Sequence, residues 1–125
     1  MEAEFDQLAA SLRADLRDLT AFVEALAVKL EGALPGRTRV KRRSAGLFSG
    51  RKRVQRIELD GGEYRFRLDF DGAAVQAHRS LVSGGVAIRS VVLAIEQLVD
   101  DIAHWLTSEA GRSEQGRAAL EKMLG

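Results

Sequence analysis

Three side chains near the C-terminal end share one helical face, because Glu96, Asp100 and His104 follow one another at intervals of four. Two carboxylates and an imidazole on one face are a donor set for a divalent cation, alone or as half of a site across a dimer axis. The same residues read more simply as the solvated side of an amphipathic helix whose other side carries Leu98, Ile102 and Trp105. The expectation is therefore no metal and no cofactor. The other histidine, His78, falls on the polar side of an alternating segment, beside Arg65, and reads as a surface residue. Asp69 with Asp71, and Asp100 with Asp101, could pair for acid–base work, but they read as a turn and a helix surface. The chain has no cysteine, which removes a thiolate nucleophile, a thiolate metal site and a disulfide framework together. No serine sits in a nucleophile elbow, and no glycine pattern matches a phosphate-cradling loop. These residues predict a protein that is not an enzyme.

The strongest chemical signal is a run of charge. Between Gly32 and Ile57 no acidic residue occurs, while Arg37, Arg39, Lys41, Arg42, Arg43, Arg51, Lys52, Arg53 and Arg56 do. These nine cations exceed the net charge of +1, so the rest of the chain is acidic by eight charges. Arginine suits bidentate contact with carboxylate or phosphate. A small-residue loop, Ser44–Gly50, carries Leu47 and Phe48 at its tip, and Phe48 is a candidate apolar anchor between two basic strands. The expected partner surface is thus Arg37, Arg39, Lys41, Arg42, Arg43, Phe48, Arg51, Lys52, Arg53 and Arg56. The bland alternative is an edge strand kept from aggregating by its charge, or neutralised by the acidic remainder.

The elements that must position these residues follow from periodicity. Glu2–Glu31 reads as one long helix: Phe5, Leu12, Leu19 and Leu26 recur every seven residues, as do Ala9, Leu16, Val23 and Leu30, with Leu8 and Phe22 widening the stripe. Gly32 offers a left-handed stop and Pro35 prevents resumption. A helix of that length spans about 45 Å, whereas strands of six to eight residues span only about 20–27 Å. It should overhang its own domain, which predicts a homodimer.

A β-meander of about four strands follows. Arg37–Arg43 is extended, and Arg53–Asp60 alternates weakly. Gly61-Gly62 and Asp71-Gly72 are two-residue hairpin signals flanking Tyr64–Phe70, which alternates cleanly. Such turns pair Leu59 with Tyr64, Ile57 with Phe66, Phe70 with Ala73, Leu68 with Val75 and Phe66 with Ala77. One sheet face is then apolar and the other carries Arg56, Glu58, Arg65, Arg67, Gln76 and His78. Val86–Val92 fits either a fifth strand or a helix start. A helix is firm from about Leu93 to Gly111, and Ser113 caps a short last helix ending near Leu124.

At 125 residues, with 46% apolar and 30% charged residues, the chain reads as a single α+β domain over residues 1–125. Its helices should pack on one sheet face. No apolar run is long enough to cross a membrane, and Glu2, Glu4 and Asp6 oppose a secretory start. The absent cysteines and the arginine- and alanine-rich composition fit a bacterial cytoplasm. The order of elements resembles that of small bacterial nucleoid-associated dimers, a resemblance carried by no residue motif. The expected role is a non-enzymatic interaction module, adaptor or chaperone-like and homodimeric, taking an acidic protein partner. The alternative is a nucleic-acid-binding protein using residues 37–56. No small-molecule substrate is evident.

Overall fold

The computed structural model describes residues 2–13, 18–44 and 52–125. Its first difference from the sequence reading is at the N-terminal stripe, which forms two helices. Helix α1 is Glu2–Arg13 and helix α2 is Leu19–Ala33. The second begins on a true cap. Asp18 is extended (φ −120, ψ 103), and its carboxylate accepts from the Ala21 N–H at 3.1 Å. The Asp18 carbonyl meanwhile accepts from the Phe22 N–H at 2.8 Å. A heptad stripe fixes which side of a helix is apolar but not whether the helix is continuous, and here a capping aspartate lies inside it. Gly32 stays helical, and α2 ends at Leu34, ahead of Pro35.

Five antiparallel strands form a meander in the order β1-β2-β3-β4-β5: Thr38–Ser44, Lys52–Asp60, Tyr64–Phe70, Val75–Ser83 and Val86–Leu93. The ambiguous stretch at 86–92 is the fifth strand, folded back by a tight turn that sets Ser83 opposite Val86. Two helices follow, α3 (Ile95–Ala110) and α4 (Glu114–Leu124), the last capped by Ser113, whose hydroxyl accepts from the Gly116 N–H at 3.0 Å.

Both predicted hairpin registers are displaced by two. Phe70 pairs with Val75 and Leu68 with Ala77, while Ile57 pairs with Leu68 and Leu59 with Phe66. The aspartates are the cause. Asp71 accepts from the Ala73 and Ala74 N–H groups at 2.9 and 2.7 Å, and Asp60 accepts from the Gly62 N–H at 2.9 Å. Asp71 therefore stands before its turn rather than within it, and the first turn is Gly62-Glu63, one place later than Gly61-Gly62. Gly62 (φ 84) and Gly72 (φ 96) take the first central position, where a type II′ turn needs positive φ. A shift of two leaves every side chain on its predicted face. It does change neighbours: His78 lies opposite Arg67, not Arg65.

A bulge at Gln55 keeps Val54 on the same face as Ile57 and Leu59. That face, with Phe66, Leu68, Phe70 and Ala77, meets Phe22, Val23, Leu26 and Leu30 of α2 and Leu98, Val99, Ile102 and Leu106 of α3 in one core. Helix α2 lies over β1 and β2, and α3 over β4. Helix α4 does not join them on the sheet as expected: it packs on α2 and α3, and α1 packs on α3 and α4. Leu8 and Ala9 of α1 and Leu120 and Met123 of α4 are fully buried there. The described members of the N-terminal stripe are thus covered by their own domain, and the two helices replace the single long one on which the overhang argument for a helix-paired dimer stood. Among the described residues, no helix is long and apolar enough to cross a membrane.

A candidate basic partner-binding face

All four helices of the described residues lie on one side of the sheet, so the other face is open. Alternation along the strands decides what it displays. Strand β1 contributes Arg39, Lys41 and Arg43; β2 contributes Arg53, Arg56 and Glu58; β3 contributes Arg65, Arg67 and Asp69; β4 contributes Gln76, His78 and Ser80. Cations outnumber carboxylates here, and several carboxylates are already engaged.

The ten residues expected to form the partner surface fall into five groups. Phe48 and Arg51, like Leu47, lie outside the described residues. Arg37 is taken up internally: its guanidinium lies 5.7 Å from the Trp105 ring centroid and donates to the Asp60 carbonyl at 3.2 Å. Arg42 points to the helix side, because the β1–β2 register places it opposite Val54. There it binds Glu31 of α2 through both guanidinium nitrogens, and these hydrogen bonds hold the Glu31 carboxyl below its ordinary value of 4.5. Arg56 remains on the open face but is neutralised, with Nε 2.7 Å from Asp69 Oδ1 and Nη1 3.8 Å from Glu58 Oε1.

Arg39, Lys41, Arg43, Lys52 and Arg53 are left exposed, and none forms an ion pair among the described residues. Three of them, Lys41, Arg43 and Arg53, converge on a trough of about 870 Å³ where the Ser44 end of β1 and the Lys52 end of β2 meet the β3–β4 turn. Ser44, Gln55, the neutralised Arg56, Asp69, Asp71 and Gln76 complete its polar lining. The Asp71 carboxyl is held below its ordinary value of 3.8 by the Ala74 and Ala73 N–H groups, so it stays an anion satisfied by its own turn. The trough therefore presents three cations with unused hydrogen-bonding capacity beside two carboxylates that are already bound.

Sequence reading missed the contribution of Asp69, Gln76 and the 71–74 turn. Strand alternation carried the signal for Asp69 and Gln76, since both were on the polar face; the displaced register then sets them opposite each other. Arg67 Nε lies 3.0 Å from Asp69 Oδ2 without being aligned to donate, and His78 Nε2 is buried without a hydrogen-bond partner.

Glu96, Asp100 and His104 lie along α3 at intervals of four. His104 stacks on Phe5 of α1, ring centroids 3.8 Å apart and planes 16° from parallel. Asp101 ties α3 to the sheet by accepting from Arg79 of β4 at 2.6 Å, and within the helix it accepts from Gln97 at 2.7 Å. Among the described residues no three His, Cys, Asp or Glu side chains gather as a metal-binding group. Compared with models of known families, with curated proteins and with solved structures, the chain matches none of them.

Proposed function

We propose that this protein is a non-enzymatic interaction module that binds an acidic polypeptide segment in the trough of its open sheet face. The observation that carries this reading is the convergence of Lys41, Arg43 and Arg53, unpaired among the described residues, on one concavity of the sheet face that the described helices leave open. The neighbouring Arg42 and Arg56 are spent on Glu31 and Asp69. Spaced carboxylates on a peptide can reach the three cations separately and pass Asp69 and Asp71 between them. A continuous phosphate backbone would meet those two carboxylates at close range. Among the described residues, the open face displays no Phe, Tyr or Trp on which a base could stack. The cysteine-free sequence supports action in a reducing compartment such as a bacterial cytoplasm.

The test is fluorescence anisotropy with a labelled, glutamate- and aspartate-rich decapeptide at low salt, against single-stranded and duplex DNA of equal charge. The peptide should bind, and binding should be lost in the triple variant Lys41→Gln, Arg43→Gln, Arg53→Gln while the thermal melt is unchanged. Peptide binding that ignores the triple substitution defeats the reading. Preferential DNA binding, with log affinity falling linearly in log salt, replaces it with the nucleic-acid alternative.

A further inference from the structure

The two edges of the sheet are built differently. Edge strand β1 carries Arg39, Lys41, Arg42 and Arg43, the kind of charge that keeps an edge from pairing. Edge strand β5 has the sequence of an interior strand, with Val86, Ala87, Ile88, Val91, Val92 and Leu93 and one charge, Arg89. Helix packing concentrates on β1, β2 and β4, and on β5 only Leu93 joins the core. Val86, Ile88 and Val92 are 63%, 60% and 66% exposed, so apolar side chains on an uncapped edge face solvent. A long, exposed apolar edge is a pairing site.

We propose that β5 pairs antiparallel with β5 of a second copy about a two-fold axis at Ser90, joining the two sheets into one of ten strands. The occupant follows from charge and symmetry. The edge is neutral apart from Arg89, so it selects a neutral, β-branched strand, and β5 is itself one. An acidic peptide of the kind that suits the trough gains nothing there but a single arginine. Antiparallel pairing of one strand with its copy is isologous and closes at two subunits. An axis at Arg89 would set the two arginines directly opposite each other, a destabilising like-charge pair. An axis at Ser90 sets each Arg89 opposite Val91 of the other copy and Ile88 opposite Val92, and leaves the small Ser90 side chains to meet. About Ser90 the paired stretch runs from Ala87 to Leu93, about 24 Å, with Ile88 at the irregularity of the β4–β5 ladder. The two troughs then lie at opposite ends of one continuous open face.

Sedimentation equilibrium at tens of micromolar should give twice the 13.7 kDa chain mass. Val92→Lys should return the protein to 13.7 kDa with an unchanged circular-dichroism spectrum and melt, because that side chain is two-thirds exposed in the monomer. The chain has no cysteine, so Ser90→Cys is a single-thiol protein that should cross-link under mild oxidation, whereas Val28→Cys, exposed on α2, should not. A wild-type monomer at every concentration overturns the proposal. So does a dimer that survives Val92→Lys, or cross-linking of Val28→Cys as fast as of Ser90→Cys. Growth beyond the dimer overturns it in favour of head-to-tail addition of β5 to β1.

Discussion

The indole N–H of Trp105, on α3, donates to the carbonyl of Gly61 at 3.0 Å, binding a helix to a hairpin 44 positions away in the chain. This bond explains a glycine that the turn does not. A methyl group at Gly61 would come 2.8 Å from Trp105 Nε1 and 2.9 Å from the Tyr64 carbonyl oxygen, whereas at neighbouring Gly62 it would meet nothing. Gly61→Ala should therefore cost about 1–3 kcal/mol, the usual cost of forcing volume into a packed site. The single tryptophan should report it as altered emission and a lower melting temperature. Wild-type stability and emission in that variant would show that the hairpin shifts freely away from α3.

Burial of α1 makes a second prediction. Leu8 is completely buried among the helices of its own chain. Leu8→Ala should cost about 2–5 kcal/mol, as deletion of a fully buried leucine does. Because the contact is intramolecular, the loss should be the same at low and high protein concentration in urea unfolding. A loss that grows as the protein is diluted would mean that α1 packs between subunits.

What could be read in advance, and what could not, follows one division. Side-chain facing was legible. Tyr64, Phe66, Leu68 and Phe70 alternate with Arg65, Arg67 and Asp69, and a register error of two leaves that alternation intact. The identity of neighbours was not legible, because it depends on whether Asp71 sits in its turn or just before it, and on whether Gly61-Gly62 or Gly62-Glu63 makes the other turn. Continuity of the first helix was hidden for a related reason: Asp18 is both a tolerable helix residue and a good cap, and only the packing of α1 on α3 and α4 makes it a cap. At the candidate site, the run of arginines was plain. Its division into neutralised and free members needed the β1–β2 register, which sends Arg42 to one face and Arg43 to the other.

Acid should loosen α1 before it unfolds the sheet. Glu4 of α1 accepts from Arg117 of α4 at 2.6 and 2.8 Å, and this hydrogen bonding lowers its pKa below the ordinary 4.5. A carboxyl whose folded pKa is depressed contributes stability above its unfolded pKa and loses it as pH falls through the folded one. The Glu4–Arg117 contribution is therefore present at neutral pH and disappears below 4.5. Hydrogen exchange, corrected for intrinsic rates, should show α1 amides losing protection on acidification before those of β2 and β3. In Arg117→Gln the α1 amides should be less protected at neutral pH, with a flatter response to acid. An unchanged acid response in that variant would remove Glu4 as its source.

The sharpest separation is between two adjacent arginines. Arg42 and Arg43 differ by one place in β1 and so face opposite sides of the sheet. Arg42 holds Glu31 in a partly exposed bidentate pair, worth about 1 kcal/mol or less after solvent screening. Arg42→Glu should lose that contribution and add like-charge repulsion against Glu31. The exchange variant, Arg42→Glu with Glu31→Arg, should recover much of the loss. Neither should weaken binding of an acidic peptide in the trough beyond the small effect of one distant charge. Arg43→Glu should do the reverse, leaving stability within about 0.5 kcal/mol, as for most surface changes, while reducing peptide affinity. The reduction should appear mainly in the association rate and should shrink at high salt, since an exposed charge acts chiefly by steering encounter. Thermal melts and stopped-flow association on the same four proteins measure both quantities. Equal loss of binding from Arg42→Glu and Arg43→Glu would mean that only the net charge of the segment matters. The face on which a charge lies would then be irrelevant to its partner.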